Sequence, residues 1–281
     1  PALKRLWRGL FVGKLHFKNK SSNLYGNSGD RLSDFSLNKL RILITGASSG
    51  IGRACAIEAS ALGALCILTG RNEKALKETA GLCASATEIL VADLGKEEEI
   101  KKLVAQLKNL DGLVNCAGLI NPRPIKYLKQ ENLDELFKIN FYAPVILTAG
   151  LLQAKKMNEG ASLVFISSIS SQHPYVGGAA YSASKAALES FSKTLAIETA
   201  SKKMRSNILL PALVKTQMLE ETKEASGDEN FEQYEKQYPL GFGEPKDVAL
   251  AACFLLGKGS KWITGSELKM DGGLVLSSKK Q

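Results

Sequence analysis

The sequence predicts an α/β protein: a single doubly wound domain built on a seven-stranded parallel sheet with helices on both faces. From Leu40 onward, short apolar runs alternate with longer amphipathic stretches. This alternation is typical of strand–helix–strand units, and nearly continuous apolar strands indicate a sheet that is buried on both faces. The predicted strands are Arg41–Thr45, Ala64–Thr69, Glu88–Ala92, Gly112–Asn115, Ser162–Ser167, Arg205–Leu210 and Glu267–Met270. The predicted helices are Gly50–Leu62, Glu73–Cys83, Lys96–Leu107, Asn132–Met157, Tyr181–Ser201 and Pro245–Leu256.

The net charge of +9 is concentrated at the N-terminus rather than spread over the chain. Residues 1–40 carry eight Lys or Arg against two Asp, whereas the rest of the chain carries 29 basic and 26 acidic residues. We therefore predict a basic, flexible N-terminal extension at residues 1–34 and a folded domain at residues 35–281. Because the folded body is nearly balanced in charge, we expect no nucleic-acid and no membrane partner.

Two hypotheses account for the extension. Residues 3–17 mix basic and apolar side chains, which is typical of a targeting or membrane-surface helix. The alternative, which we favour, is an extension that has no native role. A signal peptide is disfavoured because Arg8, Gly13 and Lys14 interrupt the apolar stretch.

Cysteines and histidines limit the chemistry that the chain can support. The five cysteines include no Cys-x-x-Cys pair, and this pattern predicts reduced thiols in a cytoplasmic protein. Only two histidines occur, so we predict no metal site. No uninterrupted apolar run is long enough to cross a bilayer, and a membrane span is not expected.

The first predicted strand leads into a glycine-rich turn, which a helix follows. Glycines let the backbone turn sharply and approach a phosphate closely, and the helix N-terminus offers free N–H groups to it. The spacing G-x-x-x-G-x-G in this setting therefore predicts a site for the pyrophosphate of a dinucleotide. The predicted contact residues are Gly46, Ser48, Ser49, Gly50, Ile51 and Gly52.

The end of the second strand indicates which dinucleotide binds. An acidic residue there would bind the adenosine ribose and favour NAD. This chain has Gly70 at that position, followed by Arg71, whose guanidinium suits a 2′-phosphate. We predict NADP(H) as the cofactor; the alternative is that Arg71 is an ordinary surface arginine.

Tyr181 and Lys185 lie four residues apart at the start of a predicted helix and therefore share one helical face. The ammonium is expected to lower the pKa of the tyrosine, which would make Tyr181 a general acid for carbonyl reduction or a base for the reverse reaction. Ser168 ends the fifth predicted strand, at the sheet edge where ligands of such folds bind. Its hydroxyl can donate a hydrogen bond to a substrate oxygen on which charge develops.

Two segments are expected to form the substrate pocket. The first is the loop Ser170–Gly178, and the candidate substrate contacts are Ser168, Ser170, His173, Tyr175 and Tyr181. The second is the polar, acidic region of about 216–243, which is either a substrate lid with some helix or a solvated excursion. An acidic lid counts against a strongly anionic partner such as an acyl carrier protein. His173 either binds substrate or covers the loop.

From Leu37 to Leu276 the chain resembles the short-chain dehydrogenases/reductases, and in particular the members that are similar to 3-oxoacyl-acyl-carrier-protein reductases. The motifs that carry the resemblance are Thr45–Gly52, Asp93-Leu94, Asn115-Cys116-Ala117-Gly118, Asn140, Ser168, Tyr181 with Lys185, Pro211 to Thr216, and Asp271-Gly272-Gly273. Two positions depart from the family pattern. Cys116 replaces an asparagine, and Ala212 replaces a glycine beside the expected nicotinamide site.

The resemblance implies a Rossmann fold and roles for further residues. Asn140 would join Ser168, Tyr181 and Lys185 as a fourth catalytic residue that holds a water in a proton relay. Lys185 would also bind the nicotinamide ribose, together with Tyr181. The remaining implied cofactor contacts are Asp93, Leu94, Asn115, Gly118, Pro211, Val214 and Thr216. Members of the family are usually tetramers, so the resemblance implies a homotetramer, or a homodimer, assembled through the two long helices Asn132–Met157 and Tyr181–Ser201.

The sequence therefore predicts an NADP(H)-dependent oxidoreductase that transfers a hydride between the nicotinamide and a small carbonyl or alcohol substrate, such as a 3-oxoacyl thioester or another small ketone. The alternative is a catalytically silent protein that senses NADP(H), or an interaction protein, on the same fold. A third hypothesis, a membrane or nucleic-acid role of the basic extension, is disfavoured by the charge balance of the body.

Overall fold

A computed structural model describes residues 34–226 and 231–277 of the chain. All but one residue of the predicted extension 1–34 therefore lies outside the described residues. Seven strands form one entirely parallel sheet in the order β3-β2-β1-β4-β5-β6-β7. They are β1 Arg41–Thr45, β2 Leu65–Gly70, β3 Thr87–Val91, β4 Leu110–Asn115, β5 Met157–Ile166, β6 Arg205–Pro211 and β7 Glu267–Met270.

Helices connect successive strands, as the alternation of the sequence predicts. The long ones are α1 Gly50–Ala61, α2 Glu73–Leu82, α3 Glu97–Gln106, α4 Gln130–Phe137, α5 Ala143–Gln153, α6 Ala179–Thr199 and α9 Pro245–Leu256. Between β6 and α9 lie α7 Gln217–Ser226 and α8 Phe231–Glu235, and α10 Leu274–Ser277 follows β7. The predicted region 216–243 thus contains two helices, with residues 227–230 outside the described part.

The strand order explains where the core and the ligand crevice lie. In β1, Ile42 and Ile44 contribute to one hydrophobic cluster, and Leu43 between them contributes to a cluster on the opposite face. The sheet is therefore buried on both faces, which confirms the predicted doubly wound fold. The chain reverses its direction of growth between β1 and β4, which pair directly. At such a switch point, ligands bind beyond the carboxyl ends of the strands.

The predicted helix Asn132–Met157 is confirmed in its interior and is wrong at its end. Helix α5 ends at Gln153, and Lys155 follows in a left-handed conformation with φ 55° that turns the chain back. Met157 already belongs to β5 and pairs with Leu110, so the strand begins five residues before the predicted start at 162. The polar residues of this first part of β5 hide it from an analysis based on apolar runs.

A π-helical turn, Lys138–Tyr142, joins α4 to α5 in one helical run, Gln130–Gln153. By length and composition alone this run is apolar enough to cross a membrane, a feature that the sequence analysis does not predict. The run instead packs on the sheet's helical layer, since α5 contacts α3 and α4 contacts α6. Its most apolar stretch is 39% buried, which leaves apolar helical surface free on this chain.

Candidate active site

A cavity of about 760 Å³ lies at the carboxyl ends of the strands and is lined by residues that follow β1 to β6. It brings nearly all of the predicted site residues together. Those in its wall are Gly46, Ser48, Ser49, Gly50, Ile51, Gly52, Arg71, Asp93, Leu94, Gly118, Ser168, Ser170, His173, Tyr175, Tyr181, Lys185, Pro211, Val214 and Thr216. Asn115 and Asn140 are the two predicted residues that the wall does not include.

The glycine-rich turn forms one end of the cavity. Its backbone conformation requires glycine, because side chains at these positions would be strained or would collide with neighbouring backbone. Gly46 and Gly50 adopt left-handed φ values of 64° and 52°. A Cβ at Gly52 would collide with the carbonyl oxygen of Gly46, so the turn and the first turn of α1 are in direct contact. The side chain of Ser49, the N-cap of α1, makes no capping hydrogen bond. The first N–H groups of α1 therefore have no side-chain partner and suit a phosphate.

Arg53, which the sequence analysis missed, fixes this turn from behind. Its Nη2 donates to the Ser48 carbonyl oxygen at 2.7 Å, and its Nε donates to Thr79 Oγ1 at 3.0 Å. Thr79 Oγ1 in turn donates to the carbonyl oxygen of Ala47 at 2.9 Å. Two successive carbonyl groups of the turn are thus held by side chains. An arginine one residue after the last glycine was the available signal, but its partner on α2 is remote in sequence.

Arg71 follows β2 at the same end of the cavity. Its side chain is exposed and takes part in no ion pair among the residues that the structure describes. Gly70 lies beside Ser48 of the glycine-rich turn, since a Cβ at Gly70 would be 3.6 Å from Ser48 Oγ. The charge of Arg71 is therefore available to a ligand that occupies the space between β2 and the glycine-rich turn.

Ser168, Tyr181 and Lys185 meet at the other end of the cavity. Ser168 and Tyr181 line the same part of the wall, and the Ser168 hydroxyl is close enough to lower the pKa of Tyr181. The Lys185 Nζ lies 5.7 Å from the centroid of the Tyr181 ring and donates to the Ile166 carbonyl oxygen at 2.9 Å. The end of β5 and the first turns of α6 thus place two hydroxyl groups and one ammonium group around a common space.

Burial is the main influence on the pKa values of Tyr181 and Lys185, and for Tyr181 its effect is opposite to the shift that the sequence predicts. Burial, reinforced by nearby Tyr175, raises the pKa of Tyr181, whereas the Ser168 hydroxyl lowers it. The expected lowering by Lys185 is wrong for this structure, because desolvation dominates and Lys185 faces the ring and the Ile166 carbonyl. Burial also lowers the pKa of Lys185 to about 8, against the opposing effect of Cys116 and Glu189.

Asn140 lies on the π-helical turn, behind the cavity wall. Its Oδ1 accepts from the Leu119 backbone N–H at 2.8 Å, and its Nδ2 donates to the Leu119 carbonyl at 2.9 Å. The same Nδ2 lies 3.1 Å from Ser184 Oγ. A Cβ at Gly118 would lie 3.4 Å from Asn140 Oδ1 and 3.5 Å from Lys185 Nζ. Asn140 and Lys185 therefore face each other across the space beside Gly118.

Asn115 ends β4 but does not reach the cavity. Its side chain is buried, and neither its Oδ1 nor its Nδ2 has a hydrogen-bond partner among the described residues. The adjacent Cys116 and Gly118 line the cavity in its place. Asn115 therefore lies beneath the wall, because successive strand residues face opposite sides of the sheet.

Both segments that the sequence predicts for substrate binding, the loop from Ser170 and the region 216–243, line the substrate end of the cavity. The Ser170 hydroxyl is buried without a partner in the described part of the chain, and His173 and Tyr175 lie in the wall beside it. The excursion after β6 is closed at its base by a bridge between Val214 and Gly243. Its Tyr238 is buried against Phe242, with the two ring centroids 4.9 Å apart.

Several functional neighbours escaped the sequence analysis. Glu189 accepts a hydrogen bond from Ser167 Oγ at 2.6 Å and raises the pKa of Lys185. Its position four residues after Lys185 was a usable signal, since it extends the same helical face. Leu274 and Val275 line the cavity from the C-terminal helix, and the motif Asp271-Gly272-Gly273 directly before them was the available signal.

The residues present fit a dinucleotide. The glycine-rich turn offers a cradle that side chains would fill, and a Cβ at Gly50 would lie only 3.3 Å from Thr216 Cγ2. The volume is in the range of small-molecule and cofactor sites. Among the described residues, no group of three or more His, Cys, Asp or Glu side chains could hold a metal ion. Fold and site together define a nucleotide-binding oxidoreductase of the Rossmann type.

Comparison with known proteins gives the family. Residues 46–275 match the family model described as enoyl-(acyl carrier protein) reductase. A 3-oxoacyl-[acyl-carrier-protein] reductase of Rickettsia bellii is 35% identical over 235 residues, which cover 83% of this chain and 96% of the relative. The enzyme of the same name from Mus musculus is 34% identical over 239 residues, covering 83% and 97%. The chain belongs to the short-chain dehydrogenase/reductase family and is similar to its 3-oxoacyl-acyl-carrier-protein reductases.

Solved structures agree with this assignment. A dehydrogenase/reductase from Sinorhizobium meliloti superposes with a TM-score of 0.80 at 28% identity, covering 88% of this chain and 99% of that one. A protein assigned as an NAD(P)-dependent gluconate 5-dehydrogenase from Beutenbergia cavernae also gives a TM-score of 0.80, at 30% identity, covering 86% and 99%. That structure contains NADP at low occupancy.

Proposed function

We propose that the protein is an NADP(H)-dependent reductase of a ketone, or the corresponding alcohol dehydrogenase in reverse, with Tyr181 as its general acid or base. The observation that carries the proposal is the meeting of Ser168, Tyr181 and Lys185 in the cavity whose other end is the glycine-rich turn. A nicotinamide cofactor supplies the hydride when it is bound. The residues described above bind the substrate and manage the proton.

Each side chain has a role in binding the carbonyl group or in transferring the proton during reduction. Ser168 and Tyr181 donate hydrogen bonds to the carbonyl oxygen of the substrate. As the carbonyl carbon accepts the hydride, the Tyr181 hydroxyl gives its proton to that oxygen, and the product is a neutral alcohol. The phenolate left on Tyr181 is stabilised by Lys185 and regains a proton from that side. Asn140, across the space beside Gly118, holds a water that connects Lys185 to solvent.

The raised pKa of Tyr181 is compatible with this role. In the reducing direction the tyrosine must start as a neutral hydroxyl, and burial keeps it so across the neutral range. Lys185 is the group whose charge changes near the working pH, because burial lowers its pKa to about 8. We therefore assign the regulation of proton supply to Lys185 and the proton transfer itself to Tyr181.

Preference for NADP(H) is supported by the β2 end of the cavity. Arg71 is exposed and unpaired within the described residues, and Gly70 replaces the acid that would repel a 2′-phosphate. Ser48 lies next to Gly70 and offers a hydroxyl to the same phosphate. We assign cofactor contacts to the predicted wall residues, and we give Asn115 a supporting position beneath them.

A 3-oxoacyl thioester or another small ketone is the substrate that we propose. The matching relatives carry the name of a ketone reduction, whereas the description of the family model names an enoyl reduction. Two hydroxyl donors that converge on one space suit a carbonyl oxygen, which accepts both hydrogen bonds and the proton. Reduction of a carbon–carbon double bond instead delivers the proton to a carbon atom. A carbon atom does not accept the two hydrogen bonds that the paired hydroxyl groups can donate, so this site suits a carbonyl substrate better.

The proposal also includes the oligomeric state, the cellular location and the role of the lid. The apolar surface that remains on the helical run Gln130–Gln153 suits a homotetramer, or a homodimer, through this run and α6. The predicted cytoplasmic location, the absence of nucleic-acid and membrane partners, and the lid role of residues 216–243 stay part of the proposal. Thr216, Met218 and Tyr238 of that lid line the cavity, which supports its contact with substrate.

The experiment is a substrate and cofactor panel. We expect NADPH oxidation with a 3-oxoacyl thioester, much slower oxidation with the matched 2-enoyl thioester, and a preference for NADPH over NADH. Arg71→Ala should raise the NADPH Kd about tenfold and leave that of NADH unchanged. Tight NADPH binding without turnover of any carbonyl would favour the alternative, a silent sensor.

A further inference from the structure

Two side chains outside the cavity wall hold the backbone of the glycine-rich turn. Arg53 of α1 donates from Nη2 to the Ser48 carbonyl oxygen at 2.7 Å, and Thr79 of α2 donates from Oγ1 to the Ala47 carbonyl oxygen at 2.9 Å. Ser48 and Ser49 line the cavity, whereas Arg53 and Thr79 do not. Any effect of these two side chains on a ligand in the cavity therefore passes through the backbone of the turn.

The planarity of the peptide bond makes these contacts a constraint on N–H groups. Both peptide bonds are trans, and in a trans peptide the carbonyl group of one residue and the N–H group of the next point in opposite directions. The carbonyl groups of Ala47 and Ser48 point toward Thr79 and Arg53. The N–H groups of Ser48 and Ser49 therefore point away from these side chains.

These two N–H groups are available to a ligand. Neither the Ser48 nor the Ser49 N–H group has a hydrogen-bond partner within the described part of the chain. Successive N–H groups that face one side of a turn form a concavity that binds anions, and the first N–H groups of α1 follow directly. Both serines line the cavity, so this concavity coincides with the predicted pyrophosphate site.

Thr79 links the two contacts through a single hydroxyl group. Its Oγ1 accepts from Arg53 Nε at 3.0 Å, and its own hydrogen lies between the carbonyl oxygens of Ala47 and Ala75, at 2.9 and 3.0 Å. The Thr79 side chain is fully buried, so water does not replace it. Loss of this hydroxyl would leave Arg53 Nε and the Ala47 carbonyl without this partner. We call Arg53 and Thr79 the carbonyl clamp.

Arg53 and Arg71 have different electrostatic settings. Arg53 Nη2 lies 3.5 Å from a carboxylate oxygen of Glu78, and its Nε is bonded to Thr79, so its charge and its donors face the protein. Arg71 is exposed at the cavity. Arg71 therefore suits the 2′-phosphate, which NADP(H) alone carries, whereas Arg53 acts on the turn that faces the pyrophosphate, which NAD(H) and NADP(H) share.

We propose that the carbonyl clamp sets the affinity of the site for the cofactor pyrophosphate, because it holds the Ser48 and Ser49 N–H groups toward the cavity. This inference rests on the proposed function, since it names residues that position the binding site of its cofactor. Arg53 and Thr79 are positioning residues, and neither of them touches the cofactor. Loss of the clamp weakens NADPH and NADH alike, whereas loss of Arg71 weakens NADPH alone.

The test compares three ligands: NADPH, NADH and adenosine 2′-phosphate, which has the 2′-phosphate but no pyrophosphate. Isothermal titration calorimetry gives each Kd without turnover. The variants are Arg53→Met and Thr79→Val, and Thr79→Ser restores the hydroxyl. Arg41→Met is the matched control, because Arg41 is also partly buried and ion-paired, to Glu88 at 3.3 Å, but begins β1 at the opposite end of the strand.

We expect Arg53→Met to raise the Kd of NADPH and that of NADH about tenfold each, and Thr79→Val to raise both about fivefold. The Kd of adenosine 2′-phosphate should change by less than about twofold, which also shows that each variant is folded. Thr79→Ser and Arg41→Met should keep wild-type values for all three ligands. Arg71→Ala should give the complementary pattern, with weaker NADPH and adenosine 2′-phosphate and unchanged NADH.

Three results would overturn the inference. Unchanged dinucleotide Kd values in Arg53→Met and Thr79→Val would show that the clamp does not position the N–H groups. A loss for NADPH but not NADH in Arg53→Met would assign Arg53 to the 2′-phosphate instead. An equal loss for all three ligands would show a general loss of structure. If the wild type binds neither dinucleotide, the proposed function itself fails.

Discussion

Replacement of Asn140 by alanine tests the link between the π-helical turn and the active site. The Asn140 side chain is 1% exposed and makes hydrogen bonds of 2.8 and 2.9 Å with the backbone N–H and carbonyl of Leu119. It lies a further 3.1 Å from Ser184 Oγ. Asn140→Ala removes all three interactions and leaves both polar groups of the Leu119 backbone without this partner.

The expected cost follows from these contacts. Each net hydrogen bond contributes about 1 kcal/mol, and a buried group left unpaired costs about 1–3 kcal/mol. Asn140→Ala should therefore lower the free energy of unfolding by about 2–4 kcal/mol. Because Leu119 lines the cavity and Asn140 faces Lys185 beside Gly118, kcat should also fall by about tenfold or more.

Urea denaturation followed by circular dichroism measures the first effect, and NADPH oxidation by the folded variant measures the second. Thr148→Val is the matched control on the same helical run, since the Thr148 hydroxyl is buried and has no partner among the described residues. It should change stability by less than about 0.5 kcal/mol, or increase it. Equal stability of Asn140→Ala and Thr148→Val would refute the reasoning.

Two further predictions concern charge. Because burial lowers the pKa of Lys185 to about 8 and reduction needs its ammonium, kcat should fall about tenfold per pH unit above that value. A profile that stays flat to about pH 10 in the folded enzyme would contradict this assignment. Arg205 is buried, and its guanidinium donates hydrogen bonds to five oxygen atoms in the last residues of α9 and just after it, so Arg205→Met should destabilise the protein by about 3 kcal/mol or more in urea denaturation. A loss below about 1 kcal/mol would show that water replaces these bonds.

Local patterns were sufficient for the sheet and for most of the cavity wall. The apolar runs gave all seven strands, and the glycine spacing placed the turn Thr45–Gly52 at the head of α1. The four-residue spacing of Tyr181 and Lys185 placed both in the cavity. In each case the signal lies within a few residues, and the structure needs only the parallel sheet to bring the segments together.

Features that depend on packing were not predictable in the same way. The π-helical turn holds Asn140 in contact with Leu119 and Ser184, which are remote in sequence. The raised pKa of Tyr181 reflects burial, and a spacing pattern gives no measure of burial. The polar start of β5 at Met157 became a strand through its pairing with Leu110 rather than through its own propensity.

The central claim is that Tyr181 transfers the proton, and Tyr181→Phe tests it most directly. The change removes one hydroxyl and keeps the ring beside Lys185. We predict that kcat for ketone reduction falls by about 10²–10⁴-fold while the NADPH Kd, measured by fluorescence titration, changes less than about threefold. Tyr142→Phe, at an exposed tyrosine outside the cavity wall, is the control and should keep wild-type rates. Retention of wild-type turnover by Tyr181→Phe would contradict the mechanism.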